Sequence, residues 1–325
     1  MKLAAISCAV LLGFIAVTGV IWWYHDGHDE IVVIIESGLT AKETAERLKS
    51  KGVIRSVRVF RAVAKLTGKD RNLKPGTYTL KRLMSAPSAI RLIHKGSVEN
   101  IKVAIPEGFM AKQIADRLEA SGITDSAEFM KYVRASNLEG FLFPTTYFFS
   151  KGLSAEAVAH YMHAEFDRRI DPIFASKKQD RFTLKQAVTL ASIVQREAAV
   201  IDEMPKIAAV YQNRLKRRMR LEADPTVQYA MGMDTGKWFK GLRYKHLDNR
   251  SKYNTYMYRG LPPGPICSPG AAAVRAVLFP AEVDYIYFVA DNTGGHHFSR
   301  TLKEHSAYSK KYKAERQRDS WKKKN

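Results

Sequence analysis

The chain has 325 residues, 46% of them hydrophobic, and a formal net charge of +21 at pH 7. That is enough apolar material for an anchor and two or three modest folded units, and the charge suits an anionic partner: nucleic acid, acidic lipid headgroups or a carboxylate-bearing polymer. The two cysteines are far apart in sequence, there is no CxxC or HExxH motif, and the nine histidines are scattered apart from His296-His297. Neither a disulfide framework nor a metal site is expected, and no cofactor is implied.

Leu3 to Trp23 carries no charge, and about 20 apolar residues suffice for a helix to cross a bilayer. Trp22, Trp23 and Tyr24 follow as interfacial aromatics. Lys2 precedes the run and no Lys or Arg follows it closely, so the positive-inside bias puts the N-terminus in the cytoplasm and the body outside. No A-x-A-like cleavage site follows, and too few apolar residues precede Cys8 for a lipoprotein signal. The reading is a single-pass membrane anchor, residues 1–24, and a body outside the cytoplasm argues against nucleic acid.

Next the chain repeats itself at an offset of 70. Val33, Ile35, Gly38, Ala41, Lys42, Ala45, Arg47, Leu48 and Gly52 each recur 70 positions later. Each copy reads as an alternating strand, a glycine turn, and a helix with apolar residues at i, i+4 and i+7 that stops at Gly52 or Gly122. Between the copies, Lys74-Pro75-Gly76 turns into a strand, and Ala89, Ile90, Leu92 and Ile93 supply a short helix. A small repeated β-α unit resembles LysM-like modules, which hold glycan chains; plain spacers are the alternative. Leu138 to Tyr147, LEGFLFPTTY, is expected to wedge this half against the next.

Residues 183–200 form the strongest helical pattern beyond the anchor. Ala187, Leu190, Ile193 and Val194 share one stripe, and Glu197 stands one turn further along it. A carboxyl on an apolar face is anomalous: desolvation raises its pKa, as a general acid at neutral pH requires. The competing account is a Glu reaching an Arg such as Arg196 or Arg214.

Tyr211 to Leu215 continues on another helix, with Arg214 opening the basic cluster Arg214, Lys216, Arg217, Arg218 and Arg220. Asp224 before Pro225 reads as a helix cap, with direct catalysis as the alternative. Tyr253, Asn254, Thr255 and Tyr256 offer groups that could bind sugar hydroxyls or stack on a ring, or else pack a loop. Pro262-Pro263-Gly264-Pro265 is a stiff loop. Tyr285 to Ala290 and His296 to Ser299 read as a hairpin across Asn292-Thr293-Gly294-Gly295. Residues 310–325 are rich in Lys and Arg, poor in apolar groups, and expected to be disordered.

Taken in order, the Ala191-Ser192-Ile193-Val194 to Glu197 helix, Asn213-Arg214-Leu215, Met219 to Val227 (MRLEADPTV), Tyr253 to Tyr256 and Leu261 to Ile266 (LPPGPI) resemble the YceG-like endolytic murein transglycosylases. The resemblance runs from the anchor to the final hairpin. Many relatives read SIVEKE where this chain reads Ser192-Ile193-Val194-Gln195-Arg196-Glu197, so a retained family acid/base must be Glu197. The resemblance implies water-free cleavage of the MurNAc–GlcNAc β-1,4 bond to 1,6-anhydroMurNAc ends, one carboxyl serving as acid and then base. It further implies glycan strands as substrate, Arg214, Asp224, Tyr253, Asn254, Thr255 and Tyr256 as candidate contacts, and membrane-bound peptidoglycan synthases as neighbours. A hydrolase of muramidase type, which needs a second carboxylate, and an inactive glycan-binding scaffold are the competitors.

The expected architecture is α+β. A transmembrane anchor (1–24) leads to a first LysM-like module (31–100) and a second repeat unit with linker (101–150). A mixed helical/β catalytic domain of lytic-transglycosylase type (151–309) and a basic tail (310–325) complete the chain.

Overall fold

Alternation sets the first strand, β1 (Glu30–Ile35), with Val33 and Ile35 on the buried face. It pairs antiparallel with β2 (Gly76–Lys81), Val33 opposite Tyr78. The computed structural model describes residues 30–35, 38–96, 100–177 and 182–322. The expected anchor lies outside these residues, and no helix among them is long and apolar enough to cross a membrane.

Between β1 and β2 run α1 (Ala41–Ser50) and α2 (Val57–Leu66). A reciprocal cap starts α1: Thr40 Oγ1 accepts from the Glu43 N–H, and the Glu43 carboxylate accepts from the Thr40 N–H at 2.8 Å. Ala45 and Leu48 turn inward, meeting Phe60 of α2 and Ile90 and Ile93 of α3 (Ala86–Lys95).

The second copy follows the same order, with β3 (Asn100–Ala104), α4 (Ala111–Ala120), α5 (Ser126–Ala135) and β4 (Thr146–Ser150), β3 pairing with β4. Both copies are therefore β-α-α-β. Gly38 and Gly108 turn at φ +86° and +78°, a left-handed conformation that favours glycine. The equivalence also continues past the stretch visible in sequence, at an offset of 69: Phe60 and Phe129 are both fully buried, and Gly68 and Asn137 both have positive φ.

The chain divides into two compact units: residues up to Val103 with Tyr147–Gly152, and Ala104–Thr146 with the chain from Leu153 onward. The strands of the second copy thus belong to one unit and its helices to the other, which departs from the boundaries expected at 100/101 and 150/151. The physical reason is that Met110 and Phe143 contribute to the core of the second unit.

The second unit adds α6 (Ala155–Ala175), α7 (Leu184–Glu197), α8 (Met204–Lys216), α9 (Asp224–Gly232) and α10 (Ala271–Leu278). A hairpin of β5 (Tyr287–Ala290) and β6 (His296–Ser299), and α11 (Leu302–Lys322), complete it. Residues 187–194 of α7 are all buried, so this helix is the axis of the core. The 261–267 loop is tied to it: Ser192 Oγ accepts from the Ile266 N–H at 3.0 Å, and the buried Cys267 thiol donates to the Ser192 carbonyl at 3.3 Å. Gly140 of the LEGF segment approaches this loop so closely that a Cβ there would lie 2.3 Å from Pro265 Cβ.

The expectation of disorder from residue 310 is corrected, because α11 extends to Lys322. Aromatic groups dock it on the hairpin: Tyr308 stacks on His297 at 3.4 Å, and Asn292 Nδ2 donates to the Tyr312 carbonyl and the Glu315 carboxylate. Composition registers the many cations of this segment but not the tyrosine spacing on one helical face.

Candidate active site

The site is built around the C-terminal end of α7. This helix starts on a reciprocal cap, the Thr183 N–H donating to Gln186 Oε1 at 2.9 Å and the Gln186 N–H to Thr183 Oγ1 at 3.3 Å. It ends at Glu197, as Ala198 turns to extended backbone. The anchored helix leaves its last carboxyl in a cleft of about 310 Å³, lined also by Tyr211, Arg214, Glu222, Asp224, Tyr256 and His296.

Burial raises the Glu197 carboxyl to about 7, the Asp224 carboxylate adds to the rise, and the Tyr211 hydrogen bond and the Arg214 and Arg196 charges oppose it. Tyr211 donates its hydroxyl to Glu197 Oε1 at 2.6 Å. Glu197 nevertheless remains partly accessible to solvent. A carboxyl poised near neutrality and open to a cleft can give a proton and take one back.

Arg214 is only 8% exposed. Its Nε donates to the Ile286 carbonyl at 2.7 Å, and one terminal nitrogen to the Leu221 carbonyl at 2.8 Å and the Glu222 carboxylate at 3.2 Å. It clamps the hairpin to the 220–222 turn while its charge faces the cleft. The Glu222 backbone is held at φ +52° in that turn.

The expected capping role of Asp224 is corrected. Ala223 is the cap residue of α9, no side chain caps it, and Asp224 is the first helical residue. Its carboxylate instead accepts from the Tyr256 hydroxyl at 2.6 Å. Asp224 is thus a second carboxylate in the Glu197 cleft, and Glu222 a third.

The 253–256 segment divides. Tyr256 lines the cleft; Tyr253, Asn254 and Thr255 do not. Asn254 is buried, its Nδ2 donating to the Leu247 and Asn249 carbonyls at 2.7 Å. Thr255 Oγ1 accepts from the Ala223 N–H at 3.0 Å and lies 2.9 Å from Thr226 Oγ1, fastening this loop to the start of α9. Tyr253 packs on Tyr229 with ring centroids 4.9 Å apart. Gln195 also has a framework role, its Oε1 accepting from the Gly270 N–H at 2.9 Å.

Sequence reasoning missed Glu203 and His296. Glu203 accepts at Oε1 from the His296 backbone N–H at 2.9 Å, and its Oε2 lies 2.7 Å from the ring Nδ1. The residues are 93 positions apart, so no spacing pattern could connect them. No group of His, Cys, Asp and Glu suited to a metal ion occurs among the described residues.

Residues 33–311 match the YceG-like family. The chain belongs to that family. It is 30% identical to an endolytic murein transglycosylase of Bacillus subtilis (strain 168), over 88% of this chain and 86% of that one. A relative of the same name from Streptococcus pneumoniae serotype 2 is 27% identical, over 82% of this chain and 55% of the longer pneumococcal protein. The crystal structure of a putative YceG-like protein from Listeria monocytogenes is similar at a TM-score of 0.55 and 32% identity, covering 86% of this chain and 98% of that one. Within this YceG-like chain, Glu197, Arg214, Asp224 and Tyr256 come together in one cleft, while Tyr253, Asn254 and Thr255 support it from outside.

Proposed function

We propose that this protein is an endolytic murein transglycosylase with Glu197 as its acid. The observation that carries the reading is a carboxyl raised to about 7 in a cleft of a YceG-like chain, together with relatives that bear that name. Protonated Glu197 donates to the oxygen bridging MurNAc and GlcNAc as the C1–O bond breaks. The C6 hydroxyl of MurNAc then closes a 1,6-anhydro ring, its attack made near-unimolecular by the substrate's own geometry. The ionised Glu197 is the acceptor for the hydroxyl proton in the one-carboxyl scheme.

A second reading has a specific support. With Asp224 and Glu222 in the same cleft, the site has the carboxylates that a hydrolase uses to activate water. A second carboxylate is thus at hand, and the relatives carry the choice of the transglycosylase. Mass spectrometry of fragments released from purified peptidoglycan separates the two. Anhydro ends support the transglycosylase; fragments heavier by one water and reducible by borohydride support the hydrolase.

The same proposal includes an inner-membrane anchor in residues 1–24, a body outside the cytoplasm, and membrane-bound peptidoglycan synthases as neighbours. The two β-α-α-β copies have the element order of a LysM-like module, which supports a glycan-holding role.

A further inference from the structure

The turn Ile201–Glu203 enters α8 and sets the Glu203 carboxylate against the start of β6. Both of its oxygens engage His296, one the backbone N–H and the other the ring Nδ1. Glycine at 295 permits this approach, since a Cβ there would lie 2.9 Å from Glu203 Oε1. Phe288 packs edge-on to the imidazole at 5.2 Å, and the His296 side chain is 8% exposed.

An ionised carboxylate only accepts hydrogen bonds, so the imidazole proton sits on Nδ1. In the neutral ring Nε2 then carries the lone pair. Nε2 makes no hydrogen bond among the described residues, and His296 lines the same cleft as Glu197. A side chain more than nine-tenths buried, gripped on one edge and unengaged on the other, has the form of a base oriented by a carboxylate. His297, one residue along, instead stacks on Tyr308 and is not part of the cleft lining.

We propose that His296 is the base of the reaction, Nε2 taking the proton of the attacking hydroxyl while Glu203 fixes the ring and its tautomer. The inference builds on the glycan-cleaving reading above and divides its two proton transfers between two residues. As the C1–O bond breaks, Glu197 gives its proton to the departing oxygen. The attacking oxygen bonds to C1, and its proton passes to Nε2. The imidazolium, stabilised by Glu203, loses that proton to the solvent of the open cleft, from which Glu197 is reprotonated, so both residues end as they began.

The test uses the full-length protein in detergent with purified peptidoglycan as substrate, comparing wild type, His296→Gln, His296→Ala and His297→Gln. A positioned base contributes on the order of 10²-fold or more, so both His296 variants should lose at least that in kcat with KM within about threefold. His297→Gln should match wild type. Added imidazole should restore part of the His296→Ala rate and none of the Glu197→Gln rate. A kcat within about threefold of wild type in His296→Gln, or a loss in His296→Ala that imidazole does not relieve, overturns the assignment. Wild-type products test the reading of the reaction separately: reducing ends would overturn the transglycosylase reading yet leave His296 as base toward water, if the variant pattern holds.

Discussion

Tyr211 and Asp224 act on the Glu197 carboxyl with opposite signs. The acid must be protonated to work, so activity should fall as the pH rises above about 7. Tyr211 lowers the Glu197 pKa by donating to it, so Tyr211→Phe should move that alkaline limb to higher pH. Asp224 raises it, so Asp224→Asn should move the limb to lower pH. Limbs moving in the same direction in both variants would contradict the arrangement. Glu197→Gln should abolish turnover, and its stability should differ from wild type in one direction. The folded carboxyl retains its proton while the unfolded one ionises at about 4.5, so wild type loses stability between about pH 4.5 and 7. The variant should therefore have the higher melting temperature at pH 8 and no advantage below pH 4. At this scale the sequence made Glu197 legible, because a carboxyl on an apolar stripe is a local signal. It could not reveal whether Asp224 caps or faces the cleft, because the Tyr256 hydroxyl that engages it is 32 positions away.

Among the elements, the most consequential junction is Thr255 with the start of α9. Thr255→Val keeps the shape but leaves the Ala223 N–H and the Thr226 hydroxyl each without this buried partner. Denaturant unfolding should show a loss of about 1–3 kcal/mol. Turnover should fall too, since Asp224 and Tyr256 each neighbour a residue in that junction. Unchanged stability and activity would show that the junction does not place them. The helices and the hairpin were readable from periodicity and turn residues. Asn254 and Thr255 were not readable as framework, because an Asn or Thr beside tyrosines looks the same in sequence whether it meets a sugar or a carbonyl. The last helix escaped detection for a related reason: what holds it is a stack of Tyr308 on His297 and not an apolar stripe.

For the whole molecule, the repeat was legible where the two copies keep identical residues and faded where only burial and backbone geometry persist. Phe60 and Phe129 still mark equivalent positions, but the one-residue change of offset hides the alignment. Residues 1–24 are predicted to be separable: a chain beginning at Asp29 should be soluble, folded and active on glycan strands. Aggregation of that chain under conditions where the detergent-solubilised full-length protein is active would count against this. The buried thiol of Cys267 gives a way to watch the larger unit. It closes the 261–267 loop, donates to the Ser192 carbonyl of α7, and burial holds its ionisation well above the usual range. Thiolate chemistry there is suppressed until the loop parts from the helix. With Cys8 replaced by serine, the rate of modification by a small thiol reagent becomes a clock for that parting, read at a single atom and without denaturant. A bound glycan that steadies the loop would slow the clock, and so report occupancy even in a Glu197→Gln protein that can no longer cut.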